Sequence, residues 1–350
     1  MKVVRNLCGL RRLRKPVVLA AGFFDGLHRG HEQVIRRACA RAAALRGESW
    51  ALTFGAHPLQ MLRPERAPRL LTSTEHKLRL LAALGIHGCL LIPFTLDLAG
   101  LTPAEFAQRL AACLPTLREI AVGGNWRFGR GGRAGARRLA ELGRAHGFRV
   151  RMLPAVRWQG RPISSTRVRA AVLRGDLAGA AAMLGRPFDV LGVVVRGRRV
   201  GRELGYPTAN LRTSGEVLPP QGVYAVRARI GKREMDGVLN YGVCPTWGGR
   251  DAGPTLELHL LAHRGNLYGR TVEVQFVAWL RPEKPFASPA ALHAQIARDI
   301  AAARVALGPP AAAAARPPVQ EKNLFTLSRT AAIVRTTKKG PKRKGISRAV

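Results

Sequence analysis

The sequence predicts an α/β fold in two unequal parts: an N-terminal domain on a parallel sheet, then a small antiparallel β-barrel closed by a terminal helix. Three observations carry this expectation. Apolar runs alternate with helical patterns through residues 17–155, as in a parallel sheet with crossover helices. After Leu184 come short segments rich in Val, Tyr and Leu, separated by Gly and Pro, as in a small barrel. The chain has 350 residues, 47% of them hydrophobic, which gives room for two domains with substantial cores.

In chain order, the apolar runs predict strands at 17–24, 50–54, 89–94, 119–122 and 148–153, with a helical pattern at 32–46 after the first. Thr72-x-x-Glu75 and Thr102-Pro103-x-Glu105 read as capping boxes, the second with Pro at the first helical position. Gly47 and Gly85 fit helix ends. Residues 156–184 read as short helices. Barrel strands are expected at 190–195, 223–230, 237–241, 255–261 and 271–278, and a last helix from Ser288-Pro289 to about Leu307. Pro309-Pro310, five alanines and Pro317-Pro318 then make a linker to the basic run Lys338-Lys339-Gly340-Pro341-Lys342-Arg343-Lys344. The expected division is therefore 1–184, 185–308 and a tail, 309–350.

The net charge is +37, which favours anionic partners such as nucleotides, RNA or an acidic surface. A compositional bias toward Ala, Arg and Gly accounts for it equally well. Aromatics are only 6%, few for a dedicated nucleic-acid surface. The basic tail reads as a solvated segment or as a tether for polyanions. Cys8, Cys39, Cys89, Cys113 and Cys244 are odd in number and form no C-x-x-C pair. This argues against a disulfide framework or zinc site and fits a reducing cytoplasm. No apolar run reaches membrane-span length, and the basic start leads straight into Asp25 without a cleavage-like site. A cytoplasmic protein with no membrane partner is expected.

The stretch Gly22-Phe23-Phe24-Asp25-Gly26-Leu27-His28-Arg29-Gly30-His31 places a Gly-rich turn between a strand and a helix. Backbone N–H groups at a helix start attract phosphate. Gly26 and Gly30 allow close approach of a ligand, and the two imidazoles can supply hydrogen bonds or positive charge. Two other readings stand beside this one. The histidines are three residues apart and could bind metal, although no Cys or carboxylate cluster nearby completes a ligand set. They could also be incidental to a structural turn.

A second cluster is Ile163-Ser164-Ser165-Thr166-Arg167-Val168-Arg169. Its hydroxyls can cap the following helix, or form with the arginine a clamp for a triphosphate or departing pyrophosphate. A third, Gly124-Asn125-Trp126-Arg127-Phe128-Gly129, offers an amide and two aromatics that suit a flat heterocycle or a core.

In this order and spacing, G-x-F-D-G-x-H-x-G-H, G-x-N-x-x-F-G and I-S-S-T-x-x-R resemble the adenylyltransferase module of bacterial bifunctional riboflavin kinase/FAD synthetases. Gly201-Arg202-Glu203-Leu204-Gly205-Tyr206-Pro207-Thr208-Ala209-Asn210-Leu211 resembles the flavokinase signature. Pro219-x-x-Gly222-Val223-Tyr224, Asn240-x-Gly242-x-x-Pro245-Thr246, Leu256-Glu257-Leu258-His259, Leu267-Tyr268-Gly269 and Arg281-Pro282-Glu283-Lys284-Pro285-Phe286 follow in the family's order. The resemblance covers about residues 16–305. It implies a Rossmann-like nucleotidyltransferase domain followed by a flavokinase barrel. It also implies two reactions: riboflavin plus ATP gives FMN plus ADP, and FMN plus ATP gives FAD plus pyrophosphate.

The implied roles follow residue by residue. Glu257 is the kinase base, and Thr208 and Asn210 are the Mg²⁺ ligands. Gly197, Gly201, Arg202 and Gly205 belong to a loop that wraps ATP phosphates. In the first domain His28, His31 and Arg169 carry catalysis, and Gly22, Phe24, Asp25, Gly26, Gly30, Ser164, Ser165 and Thr166 bind ATP and its phosphates. Asn125, Phe128, Arg281 and Phe286 line flavin sites. Phe23 stands where many relatives carry Asn, and Cys244 where Arg is frequent. Two alternatives remain at this point: an enzyme with one active module, and a basic nucleic-acid-binding protein on a nucleotide-binding fold.

Overall fold

The computed structural model describes residues 1–197, 205–242, 254–263 and 265–309. The first part is a six-stranded parallel sheet of β1 (Lys2–Val4), β2 (Val17–Ala21), β3 (Glu48–Phe54), β4 (Gly88–Ile92), β5 (Leu117–Gly123) and β6 (Arg149–Leu153), in the order β1-β4-β3-β2-β5-β6. Every residue of β2 and β4 is buried, because helices cover both faces, as parallel sheets require. Alternate residues divide between the two layers. Val17, Leu19, Trp50, Leu52, Leu90 and Ile120 pack toward α3 (Pro103–Cys113) and α4 (Ala136–Ala145). Val18, Ala20, Ala51, Cys89, Leu91 and Ala121 pack toward α1 (Arg29–Ala44) and α2 (Thr74–Ala83).

The strand order reverses at β2, which pairs with β3 on one side and β5 on the other. Ligands of open α/β sheets bind outside the strand ends at such a switch point. The turns after β2 and β5, which hold the histidines and Asn125, meet there.

The second part is a closed antiparallel barrel of β7 (Phe188–Val195), β8 (Ala209–Arg212), β9 (Gly222–Ile230), β10 (Arg233–Gly242), β11 (Thr255–Leu260) and β12 (Thr271–Arg281), ordered β7-β8-β11-β10-β9-β12. The terminal helix α7 (Pro289–Leu307) starts at Ser288, whose hydroxyl accepts from Ala291 N–H, and lays Ala303 and Leu307 on Val223, Ala225 and Val238. Between the two parts lie α5 (Ser165–Leu173) and α6 (Leu177–Leu184). Their buried residues, among them Val168, Val172, Ala180 and Met183, belong to the same apolar cluster as the barrel interior.

Several expectations are corrected. Thr72 does not cap α2. Ser73 does, accepting from His76 N–H, which leaves the Thr72 side chain to the site described below. Thr102 does form its capping box with Glu105. Strands β1 and β8 were not foreseen, nor the hairpin of Arg157–Trp158 with Arg161–Pro162. Cys8 and Cys113 were expected to be unpaired. The short turn at Leu7–Leu10 packs on α3 and joins them in a disulfide, 105 residues apart in sequence. Cys39 and Cys89 are free thiols. Gly201, Arg202, Cys244, Pro245, Thr246 and the basic tail lie outside the described residues.

Candidate active site

The β2–α1 turn is built from backbone conformations that side chains seldom adopt. Phe24, Gly26 and Leu27 have φ of 54°, 75° and 43°, a concentration of strain typical of functional turns. Gly26 is required twice over, by its φ and by space, since a Cβ there would lie 2.7 Å from Leu71 Cδ1. Gly22 and Gly30 leave room for the Phe24 and His28 rings.

His28 is the N-cap of α1, and its Nδ1 accepts from His31 N–H at 3.3 Å. That bond puts the proton of a neutral ring on Nε2, so His28 presents an N–H donor. The two imidazoles stack with centroids 3.6 Å apart. Burial lowers the pKa of His28 to about 4, opposed by its backbone hydrogen bond and assisted by the Arg186 charge. Burial, then the charges of His28 and Lys77, hold His31 well below the usual range. Of the two contributions expected from these rings, hydrogen bonds therefore prevail over positive charge near neutral pH. His31 Nδ1 is buried without a hydrogen-bond partner, as an acceptor or donor awaiting a ligand would be.

A stability consequence follows. The unfolded His28 takes up a proton near the ordinary imidazole value of 6.5 and the folded one near 4. Between those values the unfolded state binds more protons, so stability is full above the window and falls as pH drops through it. Acid titration of the far-UV circular dichroism signal should show this loss, and His28→Asn should reduce it while the His31 contribution remains.

Asp25 departs from its expected role as a phosphate contact. Its Oδ1 accepts from Leu71 N–H and Thr72 N–H at 2.9 and 3.2 Å, and its Oδ2 pairs with Arg169 Nη2 at 2.9 Å. Both oxygens thus point into protein and fix the turn. Arg169 also donates from Nε to the Arg69 carbonyl at 2.8 Å. Ser165 Oγ donates to the Asp25 carbonyl at 2.9 Å, and Ser164 caps α5. Thr166 is exposed beside them. The structure thereby joins the His28 turn to the Ser164–Arg169 helix start.

Sequence reasoning missed four neighbours. Thr72 Oγ1 accepts from Gly26 N–H at 3.2 Å. Lys77 is buried, donates to the Phe54 carbonyl at 2.9 Å and lies 4.2 Å from the Phe23 ring centroid. Burial lowers its pKa to about 8 against the opposing charge of Asp25. His57 also meets Phe23, edge to face at 4.9 Å. Arg186 reaches the turn from beyond Leu184. All four depend on tertiary placement.

Across the site, Asn125 is exposed. Phe128 departs from the flavin expectation. It is buried in the sheet core with Phe106, and Trp126 stacks on it at 4.9 Å. Trp126 is therefore the aromatic left facing outward.

The second cluster lies on the barrel. Along β11, Leu256, Leu258 and Leu260 are buried and Glu257 and His259 are not. Glu257 therefore lies on the outward face of the strand. It pairs across the ladder with Asn210 on β8 and Asn240 on β10. Gly197 lies close against this face, since a Cβ there would collide with the Asn210 side chain. Gly205 and Thr208 lead into β8. Asn240 Nδ2 donates to Glu283 Oε1 at 3.2 Å, while Asn240 Oδ1 is buried without a hydrogen-bond partner. Thr208 carries a hydroxyl, and Asn210 and Asn240 amide oxygens, donors of the kind that suit Mg²⁺. Arg281 departs from the expected flavin contact. Its Nε and Nη2 are held by Asp299 on α7 at 2.8–3.1 Å. Phe286 lies under the Arg281 and Lys284 cations.

Residues 11–167 match the family model described as FAD synthetase, and residues 184–307 that described as riboflavin kinase. The bifunctional riboflavin kinase/FMN adenylyltransferase of Pseudomonas fluorescens is 36% identical over 311 residues, 89% of this chain and 99% of its own. The protein of that name from Escherichia coli (strain K12) is 36% identical over 310 residues, 88% of this chain and 98% of its own. A crystal structure described as a macrolide-efflux protein from Streptococcus pneumoniae matches with a TM-score of 0.75 at 28% identity, covering 86% of this chain and 98% of that one. Among the described residues no helix is long and apolar enough to cross a membrane. With both modules matched in order and relatives aligned over most of its length, the chain belongs to the bifunctional riboflavin kinase/FMN adenylyltransferase family.

Proposed function

We propose that the two reactions run at two separate sites with different chemistry. The barrel site phosphorylates riboflavin. The nucleophile there is a neutral ribityl hydroxyl, which gains from a base within hydrogen-bond reach. Glu257 takes its proton as the hydroxyl oxygen bonds the γ-phosphorus of ATP and ADP departs. Thr208 and Asn210 would hold Mg²⁺, which when bound offsets the charge on the phosphates. The Gly197–Gly205 loop, with Gly201 and Arg202, covers those phosphates, and Phe286 packs against the flavin.

The site at the β2 and β5 strand ends adenylylates FMN. Its nucleophile is already an anion, the FMN phosphate, so positioning and charge stabilisation suffice. A phosphate oxygen bonds the α-phosphorus of ATP and pyrophosphate leaves. His28 and His31 hydrogen-bond the ATP phosphates. Thr166 and Lys77 stabilise the departing pyrophosphate, while Ser165, through the Asp25 carbonyl, and Arg169, through the Asp25 carboxylate, hold the turn. Asn125 and Trp126 line the flavin side.

The observation that carries this division is the state of Asp25. Its carboxylate is taken up by Arg169 and two backbone amides, so the turn holds no carboxylate poised as a base. The barrel site has Glu257 between two asparagines. With riboflavin, ATP and Mg²⁺, a chromatographic time course should show FMN rising first and FAD following. EDTA should stop FMN formation, and excess Mg²⁺ should restore it. FMN supplied directly should yield FAD without riboflavin. Absence of both products sinks the proposal, and absence of FAD alone from supplied FMN reduces it to a kinase.

A further inference from the structure

We infer that Arg186, at the entrance to the barrel, is a positioning residue for adenylyl transfer, which makes the first site dependent on a side chain from beyond its own sheet. This rests on the reading of the His28 turn given above. The strained conformation of Phe24–Leu27 is not held by local hydrogen bonds alone. Within it, Leu27 N–H reaches the Phe24 carbonyl only at 3.4 Å. Arg186 supplies a further restraint. Its Nη2 donates to the Gly26 carbonyl at 3.0 Å and its Nη1 to the Leu27 carbonyl at 3.3 Å. A guanidinium presents two such donors in a fixed fork, which an ammonium cannot. Leu27 immediately precedes His28, so the bonded carbonyls set where the imidazole stands. The charge also offsets the carbonyl dipoles next to a site that takes polyphosphate, and it opposes protonation of His28.

Arg186 is itself anchored. Its side chain is 9% exposed and its Nη2 lies 3.2 Å from Asp189 Oδ1 on β7. Asp189 Oδ2 lies 3.4 Å from His76 Nε2, and His76 immediately precedes Lys77 on α2. The barrel strand thus braces both the His28 turn and the helix that carries Lys77. His76, Asp189 and Glu273 come close enough together to suit a metal ion. Arg186 and Arg229 already pair with the two carboxylates, however. The cluster is a charge-balanced clamp, and a divalent cation there would add uncompensated buried charge.

The test uses the full-length chain with Arg186→Met, Arg186→Lys and Asp189→Asn. Riboflavin-to-FMN and FMN-to-FAD rates are measured separately, with kcat and KM for ATP in the second. Arg186→Met should lower kcat for FAD formation by about 10²-fold, the scale of a misplacement of roughly 1 Å. FMN formation from riboflavin should stay within about two-fold of the parent. Arg186→Lys should recover part of the loss, and Asp189→Asn should cause a smaller loss in the same direction. Unchanged FAD kinetics in Arg186→Met would overturn the inference. So would equal loss of both activities without recovery by lysine, which would make the arginine an interdomain staple alone. If Arg186→Met does not fold, the Lys and Asn variants decide by the same criteria. If variants of His28 and His31 also keep FAD formation, the reading of the first site has failed, and the arginine's role falls with it.

Discussion

Glu257→Gln is expected to lower FMN formation from riboflavin by about 10²- to 10⁴-fold, the range for loss of a general base, and to leave FMN-to-FAD conversion intact. The substitution keeps the shape of the side chain and the β11 ladder, in which Leu256 and Leu258 face the core. It removes only the ability to accept a proton. Asn210 and Asn240, its cross-strand partners, carry amides and cannot take over that role. Separate assays with riboflavin and with FMN as substrate, resolved by chromatography, check the result. Retention of FMN formation within a few-fold would assign the base elsewhere.

The converse is expected of His28→Ala combined with His31→Ala. FAD formation should fall by at least about 10²-fold, the cost of removing one donor from a preorganised anion site, while FMN still accumulates from riboflavin. Two effects must be separated, because His28 also caps α1 and loss of a cap costs about 0.5–2 kcal/mol. His28→Asn restores a capping acceptor without an imidazole. If His28→Asn recovers stability but not FAD formation, the rings act on the nucleotide. If it recovers both, their part is structural.

Much of the sheet was legible because its strands are apolar on both faces, so that Val17–Ala21 and Gly88–Ile92 stand out as uninterrupted runs. Thr102 was legible for a different reason: Pro103 and Glu105 complete a local signal. Thr72 carried a similar signal and was misleading, because Ser73 competes for the same helix start and Asp25 draws Thr72 away. The short β8 strand was hidden inside the Gly201–Leu211 motif. Cys8–Cys113, His57 and Arg186 depend on contacts between segments far apart in sequence, which no window reads. The motif segments stand out in the sequence, but the contacts inside them do not. The sequence does not show that Asp25 faces inward, that Phe128 is covered by Trp126, or that Arg281 is held by Asp299.

The helices α5 and α6 present Ser165 and Arg169 to the first site, while their apolar sides complete the barrel's interior. Folding and catalysis are therefore partitioned along different lines in this chain. A cut near residue 184, natural as it looks from the motifs, would strip those helices of the surface they are buried against. Module exchange among relatives would have to move the helix pair and the barrel interior together. The family's bifunctionality is in this sense architectural: the part that makes FMN also supplies some of the scaffolding for the part that uses it.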